Sequence, residues 1–475
     1  PDDTLESLAI ARRAGEGLVE SAGIQYGSLD VIANQIVGLV MDFGEVSARR
    51  AYETVRRARP FHDLSEEAFR AVVRELDSNR LLWLDEAADQ LEKSGGTWQY
   101  YYANLSMIPD EESYDVHDIS SRTQVGTLDE RFVVNFAAPG EVFIQRGEMW
   151  RINDIDEEEA KVNVAPIEDP AGEVPSWVGQ EIPVPAAVAG EVGELRGVAG
   201  SQFEHGAAKR AVAGDLCGRY PTDESTIKTA LDPIERHAEA GFPLPTDRRI
   251  CIESRGQTVR VNAAFGHEIN ETLGRLLSAL VGQQTGSSIG MSVDPYRISF
   301  EVPQGVTASV FREILQSTDP AHLESYLELA LRNSETLKFT LAQVAAKFGS
   351  LKRYQGRSRF GGDRLLDALE GTPVYDEAMR EIFHRDLAVD STVDALERIQ
   401  SGDLDLVVIG DETPIGTSSR PSGQELLVPE KADASVIESI KKRIRNDRVL
   451  LCCCHCKEWD HTTKVRRVRE QPECP

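Results

Sequence analysis

The densest set of metal-binding side chains lies in LLCCCHCKEWDHTTKVRRVREQPECP, where Cys453 and Cys456 form a C-x-x-C knuckle and Cys474 follows after 17 intervening residues. A tetrahedral Zn²⁺ takes adjacent thiolates from one tight turn and a second pair from another, and this gap suits a four-cysteine ribbon. The expectation is a structural zinc site at Cys453, Cys456 and Cys474, incomplete because the chain stops at Pro475. The competing reading is a cluster of buried thiols. His455 and His461 are substitute ligands, and Cys452 and Cys454 have the wrong spacing. Cys217 and Cys251 stand singly and are expected as buried structural thiols.

A second string, LLWLDEAAD over Leu81–Asp89, resembles the apolar strand and acidic box that hold Mg²⁺ in nucleotide-driven motors. Such a metal has no role without the nucleotide it bridges, and no G-x-x-x-x-G-K-[ST] phosphate loop occurs in the chain. The string is therefore expected to be a strand ending in solvated acids, and the chain by itself is expected not to hydrolyse ATP.

Cations offer another chemistry. Arg49, Arg50, Arg56 and Arg57 stud one short segment and could contact phosphate, although such runs are often only a solvated face. A denser island holds Arg332, Lys338, Lys347, Lys352, Arg353, Arg357, Arg359 and Arg364 with Phe348, Tyr354 and Phe360 interleaved. Cations on phosphates with aromatics against bases is the composition that holds a single strand. These islands stand out because the net charge is −27. Only twelve of 52 basic residues are Lys, and acids occur throughout, the composition that solubility at very high salt favours. A halophilic archaeal source is the expectation, so global charge does not exclude a nucleic-acid partner.

The elements that must position these groups read as a multidomain α+β protein. At 475 residues, three or more cores are expected. Residues 1–28 read as a linker helix carrying Leu5, Leu8, Ala9 and Arg12, followed by an extended stretch at 23–26. Residues 29–92 spell a winged helix. Its first helix carries Leu29, Ile32, Ile36, Leu39 and Val40 and is capped by Ser28 or Asp30; its second runs from Ser47 to about Arg57; its third is capped by Ser65 and carries Phe69, Val72, Val73 and Leu76; a strand follows at 81–84. Residues 93–185 read as a small β-barrel or sandwich, with strands at Tyr100–Tyr102, Phe132–Phe136, Val142–Ile144, Trp150–Ile155 and Lys161–Pro166. Residues 186–445 read as a mixed α/β and helical domain, with a hairpin around Arg255-Gly256, a helix at His267–Val281, a strand at Ile298–Val302 and then mostly helices to about Arg445; 446–475 form the truncated zinc ribbon. No apolar run is long enough to span a bilayer and no signal opens the chain, so no membrane partner and a cytoplasmic location are expected.

Several strings resemble the Lhr (large helicase-related) family of superfamily-two helicases. GSLDVIANQIVGLV is similar to the start of that family's winged helix, GTLDERFVVNFAAPGEVFIQRGEMWRINDIDEEEAKVNVAPI to its β-barrel, and VPSWVGQEIPV to the barrel's exit. GHEINETLGRLL and GTPVYDEAMREIF resemble the DEAD/H-associated domain. The resemblance implies ATP-driven 3′-to-5′ translocation on single-stranded DNA or a DNA/RNA hybrid. It places two RecA-like motor domains, with their ATP and Mg²⁺, upstream of Pro1. On the barrel it directs attention to Trp150, whose exposed indole would stack on a base while Arg151 pairs a phosphate; the competing reading is a core tryptophan. Trp83, Trp98 and Trp177 are expected as packing residues. The alternative function is a free-standing winged-helix and zinc-ribbon regulator without a motor.

Overall fold

The computed structural model describes residues 2–20, 23–108, 113–121, 123–130, 132–133, 137, 139–140, 142–145, 148–156, 159–166, 183–332, 334–351, 362–417, 425–427, 448–452 and 460–468. Among these residues the strands pair into four sheets, each tied to its own set of helices or loops.

The first unit follows apolar spacing closely. In α2 (Leu29–Phe43), Leu29, Ile32, Ala33, Ile36, Val37 and Val40 recur at three- and four-residue steps and are buried. Gly44, at φ 81, ends that helix, and β1 (Glu45–Ser47) follows. The Ser47 hydroxyl accepts from the Arg50 N–H and starts α3 (Ala48–Val55); Ser65 does the same for α4 (Glu66–Ser78) through Ala68. A hairpin of β2 (Leu82–Asp85) and β3 (Gln90–Lys93) returns to β1, giving the sheet order β1-β3-β2. LLWLDEAAD is thus one arm and the tip of this hairpin, with Asp85 Oδ1 accepting from the Ala87 and Ala88 amides. Tyr100–Tyr102, expected as strand, lie instead in α5 (Thr97–Ala103). The Thr97 hydroxyl bonds Leu81 O at 2.6 Å and fixes that helix to the hairpin, overriding aromatic β-propensity.

The second unit is a five-stranded sheet in the order β5-β4-β8-β7-β6, made of β4 (Ser113–Asp118), β5 (Thr123–Asp129), β6 (Val142–Gln145), β7 (Glu148–Asp156) and β8 (Lys161–Pro166). β4 and β8 run parallel and the other pairs antiparallel. Its two edges approach each other, since Gln145 at the end of β6 donates to Thr127 O in β5 at 3.0 Å. The sheet therefore curls toward a barrel while its ladder stays open. The strand expected at Phe132–Phe136 does not start there: Glu130, Phe132 and Val133 are helical, Phe132 packs edge-on against Phe143, and 134–136 lie outside the described residues.

The third unit has two layers of helices. α1 (Asp2–Gly15) packs Leu5, Leu8 and Ala9 against α6 (Ala186–Glu204), α7 (Lys209–Cys217) and α8 (Glu224–Glu239) in one core. Asp2 pairs with the buried Arg196 at 2.6 Å and with Arg297, and Arg12 grips Glu191 at 2.6 Å. This corrects the reading of 1–28 as a linker, because the helix is built into the domain that begins near 186. A six-stranded sheet, β13-β9-β10-β12-β11-β14, contains β9 (Arg249–Arg255), β10 (Thr258–Asn262), β11 (Ile289–Asp294), β12 (Arg297–Glu301), β13 (Asp405–Ile409) and β14 (Glu425–Leu427). Gly256, at φ 63, sits in the two-residue β9–β10 turn where the hairpin was expected. The expectation of mostly helix beyond 302 missed β13, which pairs parallel with β9, and β14. Helices α9 (His267–Thr285), α10 (Ala308–Ser317), α11 (Leu323–Leu331), α12 (Glu335–Lys347), α13 (Gly362–Leu369), α14 (Pro373–Arg385) and α15 (Val389–Ser401) complete the unit.

The first and third units share one continuous apolar core. Their seam is close: Tyr100 Oη donates to Lys347 O at 2.7 Å, and Asn79 Nδ2 to Ser350 Oγ at 2.9 Å. A Cβ on Gly349, which has φ +71, would sit 2.8 Å from Leu81 Cδ1. β15 (Arg448–Cys452) and β16 (Asp460–Lys464) form a separate antiparallel pair that opposes Cys452 to Asp460.

Candidate nucleic-acid interface

α3 is short and two-faced. Ala51 and Val55 are buried, and Tyr52 lies edge-on to Phe69 while its hydroxyl donates to Leu64 O at 2.9 Å. That anchoring turns Arg49, Arg50, Glu53, Arg56 and Arg57 outward, and Arg59 continues the strip into the turn Arg59–Phe61. Residues 48–62 hold five arginines and one acid, Glu53, a local excess of positive charge in a strongly acidic chain.

The arginines differ in what holds them. Arg49 is 81% exposed and pairs with Glu53 at 3.2 Å. Arg50 lies 5.1 Å from the centroid of the Phe43 ring, itself exposed. Arg56 donates twice to His62 O and covers the Tyr52 ring at 5.3 Å. Arg57 and Arg59 are exposed and have no carboxylate in ion-pair range among the described residues. Tyr26, also exposed, meets His62 edge-on at 6.1 Å and adds a ring beside the strip. The arrangement offers guanidinium groups to phosphates and ring faces to bases. α4 is a poorer phosphate surface, with four acids against two arginines, and both arginines are paired, Arg70 with Glu66 and Arg74 with Glu86.

Arg59, Phe43 and Tyr26 were missed in the sequence. Arg59 hid beside Pro60 past the expected end of the helix, and Phe43 lies beyond the last apolar position, Val40, read for α2.

Three expectations are corrected. Trp150 is not an exposed stacking residue: it is 5% exposed in the core of the five-stranded sheet, and its indole N–H donates to Gln145 O at 3.1 Å. Strand alternation then puts its neighbour Arg151 on the outer, exposed face. Lys347 is not available to phosphate, because its ammonium sits 3.1 Å from Asp30 and 3.7 Å from Glu381 at the seam. Phe348 beside it is fully buried, so this part of the island has no ring to offer. Conversely, Trp83 and Trp98, expected as packing residues, are half or more exposed; Trp98 lies 4.4 Å from the Tyr102 ring. Lys352, Arg353, Arg357, Arg359, Tyr354, Phe360 and Trp177 lie outside the described residues, as do Cys453, Cys456 and Cys474. Among the described residues no cluster of three metal-binding side chains occurs. Cys251 is buried, with its Sγ donating to Pro243 O, and burial pushes its thiol up to about 12. No helix of the described residues is long and apolar enough to cross a membrane.

The chain's similarities agree with this layout. Residues 12–171 match the family model described as large helicase-related protein, winged helix domain, and residues 244–416 match the model described as DEAD/H associated. The chain is 25% identical to the ATP-dependent helicase Lhr-Core protein 2 of Thermococcus barophilus, over 87% of this chain and 50% of that protein. It is 23% identical to the ATP-dependent helicase Lhr-Core of Methanocaldococcus jannaschii, over 93% and 52%. Its fold superposes on the structure of Mycobacterium smegmatis helicase Lhr bound to ssDNA and AMP-PNP with a TM-score of 0.65 at 17% identity, over 88% of this chain and 51% of that one. Along most of its length the chain thus matches the C-terminal region of Lhr-type helicases, and it spans about half the length of these relatives.

Proposed function

We propose that this chain is the nucleic-acid-handling accessory region of an ATP-driven 3′-to-5′ DNA helicase, and that its 29–93 unit acts as a winged helix whose arginine strip holds single-stranded DNA or the DNA strand of a DNA/RNA hybrid. The observation that carries this reading is the set of five exposed arginines on α3 and the turn after it, four of them without carboxylate partners among the described residues and one of those four stacked on the exposed Phe43. The ATP-hydrolysing motor belongs to the part of the relatives' length that this chain does not match, in keeping with the absence of a phosphate loop in its sequence. A free-standing regulator is not favoured, since the similarities to helicases run along most of the chain.

Residues 446–475 belong to the same reading as a zinc ribbon with Cys453, Cys456 and Cys474 as ligands; zinc content, and its fall in Cys453→Ser, tests that part. The main test is fluorescence anisotropy of a labelled single strand over a salt series. Binding should weaken with rising salt, and Arg57→Ala/Arg59→Ala should reduce the log–log slope by about 0.7 for each phosphate contact removed. An identical slope and affinity in parent and double variant would remove the strip from the interface.

A further inference from the structure

Ser28 occupies the N-cap position of α2, yet its side chain makes no cap bond. Among the described residues Asp30 accepts only from the neighbouring Val31 amide and from Lys347. The first-turn donor is satisfied from another domain: the Leu29 N–H donates to Glu377 Oε2 on α14 at 2.7 Å, across 348 residues of sequence. Gln25 Nε2 approaches the other oxygen at 3.4 Å. Arg380 closes the seam from the same helix, reaching Glu377 Oε2 at 3.4 Å and donating to Gly27 O. Glu377 is 1% exposed.

We propose that Glu377 is a positioning residue: its carboxyl group caps α2 in trans and sets the seat of the arginine-bearing unit on the DEAD/H-associated domain. The physical reason is that a helix start leaves unpaired N–H groups with partial positive charge, and an acceptor supplied by a second domain satisfies them only in one relative orientation. Other atoms hold the seam, but this bond joins the first residue of α2 directly to α14. Only its nucleic-acid readout rests on the function proposed above.

The charges around Glu377 make the cap sensitive to protons. Asp30 and the Tyr100 hydroxyl face the seam from the first unit, Lys347 from α12, and Arg380 and Glu381 from α14 itself, with Arg385 pairing Glu381 beyond them. Burial pushes Glu377 up to about 8, helped by Asp30 and opposed by the Leu29 amide and Arg380. A carboxyl group raised in the folded state holds a proton that the unfolded chain has lost between the ordinary glutamate range and about 8. Its contribution to stability is therefore complete at low pH, falls as pH rises through that window and levels off above it.

The test separates cap from charge in two variants. Glu377→Gln keeps a carbonyl acceptor for Leu29 but cannot ionise, so its melting temperature should vary less than the parent's between pH 6.5 and 9 and should exceed the parent's at pH 9. Glu377→Leu has no acceptor, so amide hydrogen exchange at Leu29 should accelerate at least tenfold while exchange in the core of α9 stays unchanged. On a labelled single strand, Glu377→Gln should retain parental affinity and Glu377→Leu should lose several-fold. Unchanged Leu29 exchange in Glu377→Leu, or matching pH profiles for parent and Glu377→Gln, would overturn the proposal. Should either variant fail to fold, carboxyl ¹³C NMR of the parent decides it: a glutamate titrating above pH 7 supports the cap's setting, and its absence refutes it. Failure of the parent to bind single strands counts against the proposed function alone, because the exchange rates judge the cap independently.

Discussion

Two basic sites that look interchangeable as sequence, the arginines of 49–59 and Lys347, end in opposite environments. The arginines of 49–59 stand on and just past a helix whose anchoring is done by Ala51, Tyr52 and Val55, so their side chains project onto the exposed surface. Lys347 ends a helix that runs into the seam between two units, and Asp30 and Glu381 meet its ammonium there. The tryptophans divide in the same way, with Trp150 filling a core and Trp98 standing on the surface. Side-chain type thus says little about availability; what matters is whether the element carrying it has a second layer packed over that face. A cation under a second layer must be paired, because an unpaired buried charge is expensive.

This contrast predicts a ranked set of mutational effects. The largest is expected at Trp150. Trp150→Ala removes a buried ring and leaves Gln145 O without its donor, and such truncations typically cost about 3 to 5 kcal/mol. Thermal unfolding should show the loss, and weaker single-strand binding, where it appears, should follow the loss of fold. Trp98→Ala should leave the melting temperature close to the parent's, because its ring is 63% exposed. Equal melting temperatures for the two variants would erase the distinction between them. Next comes Lys347→Met, which strands Asp30 in the seam while Glu381 keeps Arg385; breaking a buried pair from one side costs about 3 kcal/mol at the lower end of its range, fitting a lysine side chain 12% exposed. If Lys347→Met melts like the parent while lowering the salt slope of single-strand binding, the lysine belongs to the interface after all.

How far the sequence could be read follows the same logic. Helices with their own apolar stripes, such as α2 and α4, were legible, and Ser65 marked the start of α4; the cap expected on α2 from Ser28 or Asp30 does not form, because the Leu29 N–H is met by Glu377 from a distant helix. The strands at 142–145, 148–156 and 161–166 were legible too, since β-rich segments between turn residues need no knowledge of partners. Illegible were features decided at a distance. α5 is helical although three tyrosines favour strand, because Thr97 and Tyr100 are tied to Leu81 and Lys347. α1 looked like a linker because its partners, Arg196 and Arg297, lie about 200 and 300 residues away. β13 was lost among helices because its partner β9 is over 150 residues upstream. The arginine strip was legible in part: charge marked Arg49, Arg50, Arg56 and Arg57, but only the turn geometry adds Arg59, and only packing shows that Phe43 is exposed beside Arg50.

The smallest effect tests the strip itself. Arg49 and Arg57 are both exposed, but Arg49 is already paired with Glu53 whereas Arg57 has no carboxylate partner among the described residues. Neither should matter to stability, since an exposed ion pair contributes roughly 0 to 1 kcal/mol and a solvated cation less. Their single-strand affinities should differ. A phosphate must compete with Glu53 for Arg49, so Arg49→Ala gives up an interaction already shared, whereas Arg57→Ala gives up one that is entirely available. Measured at one low salt concentration, Arg57→Ala should therefore weaken binding more than Arg49→Ala, by a factor of a few. Glu53→Ala should tighten binding, because it removes the competing carboxylate and raises the local positive charge. If Glu53→Ala weakens binding instead, the glutamate is orienting Arg49 toward the strand, and the pair acts as one contact.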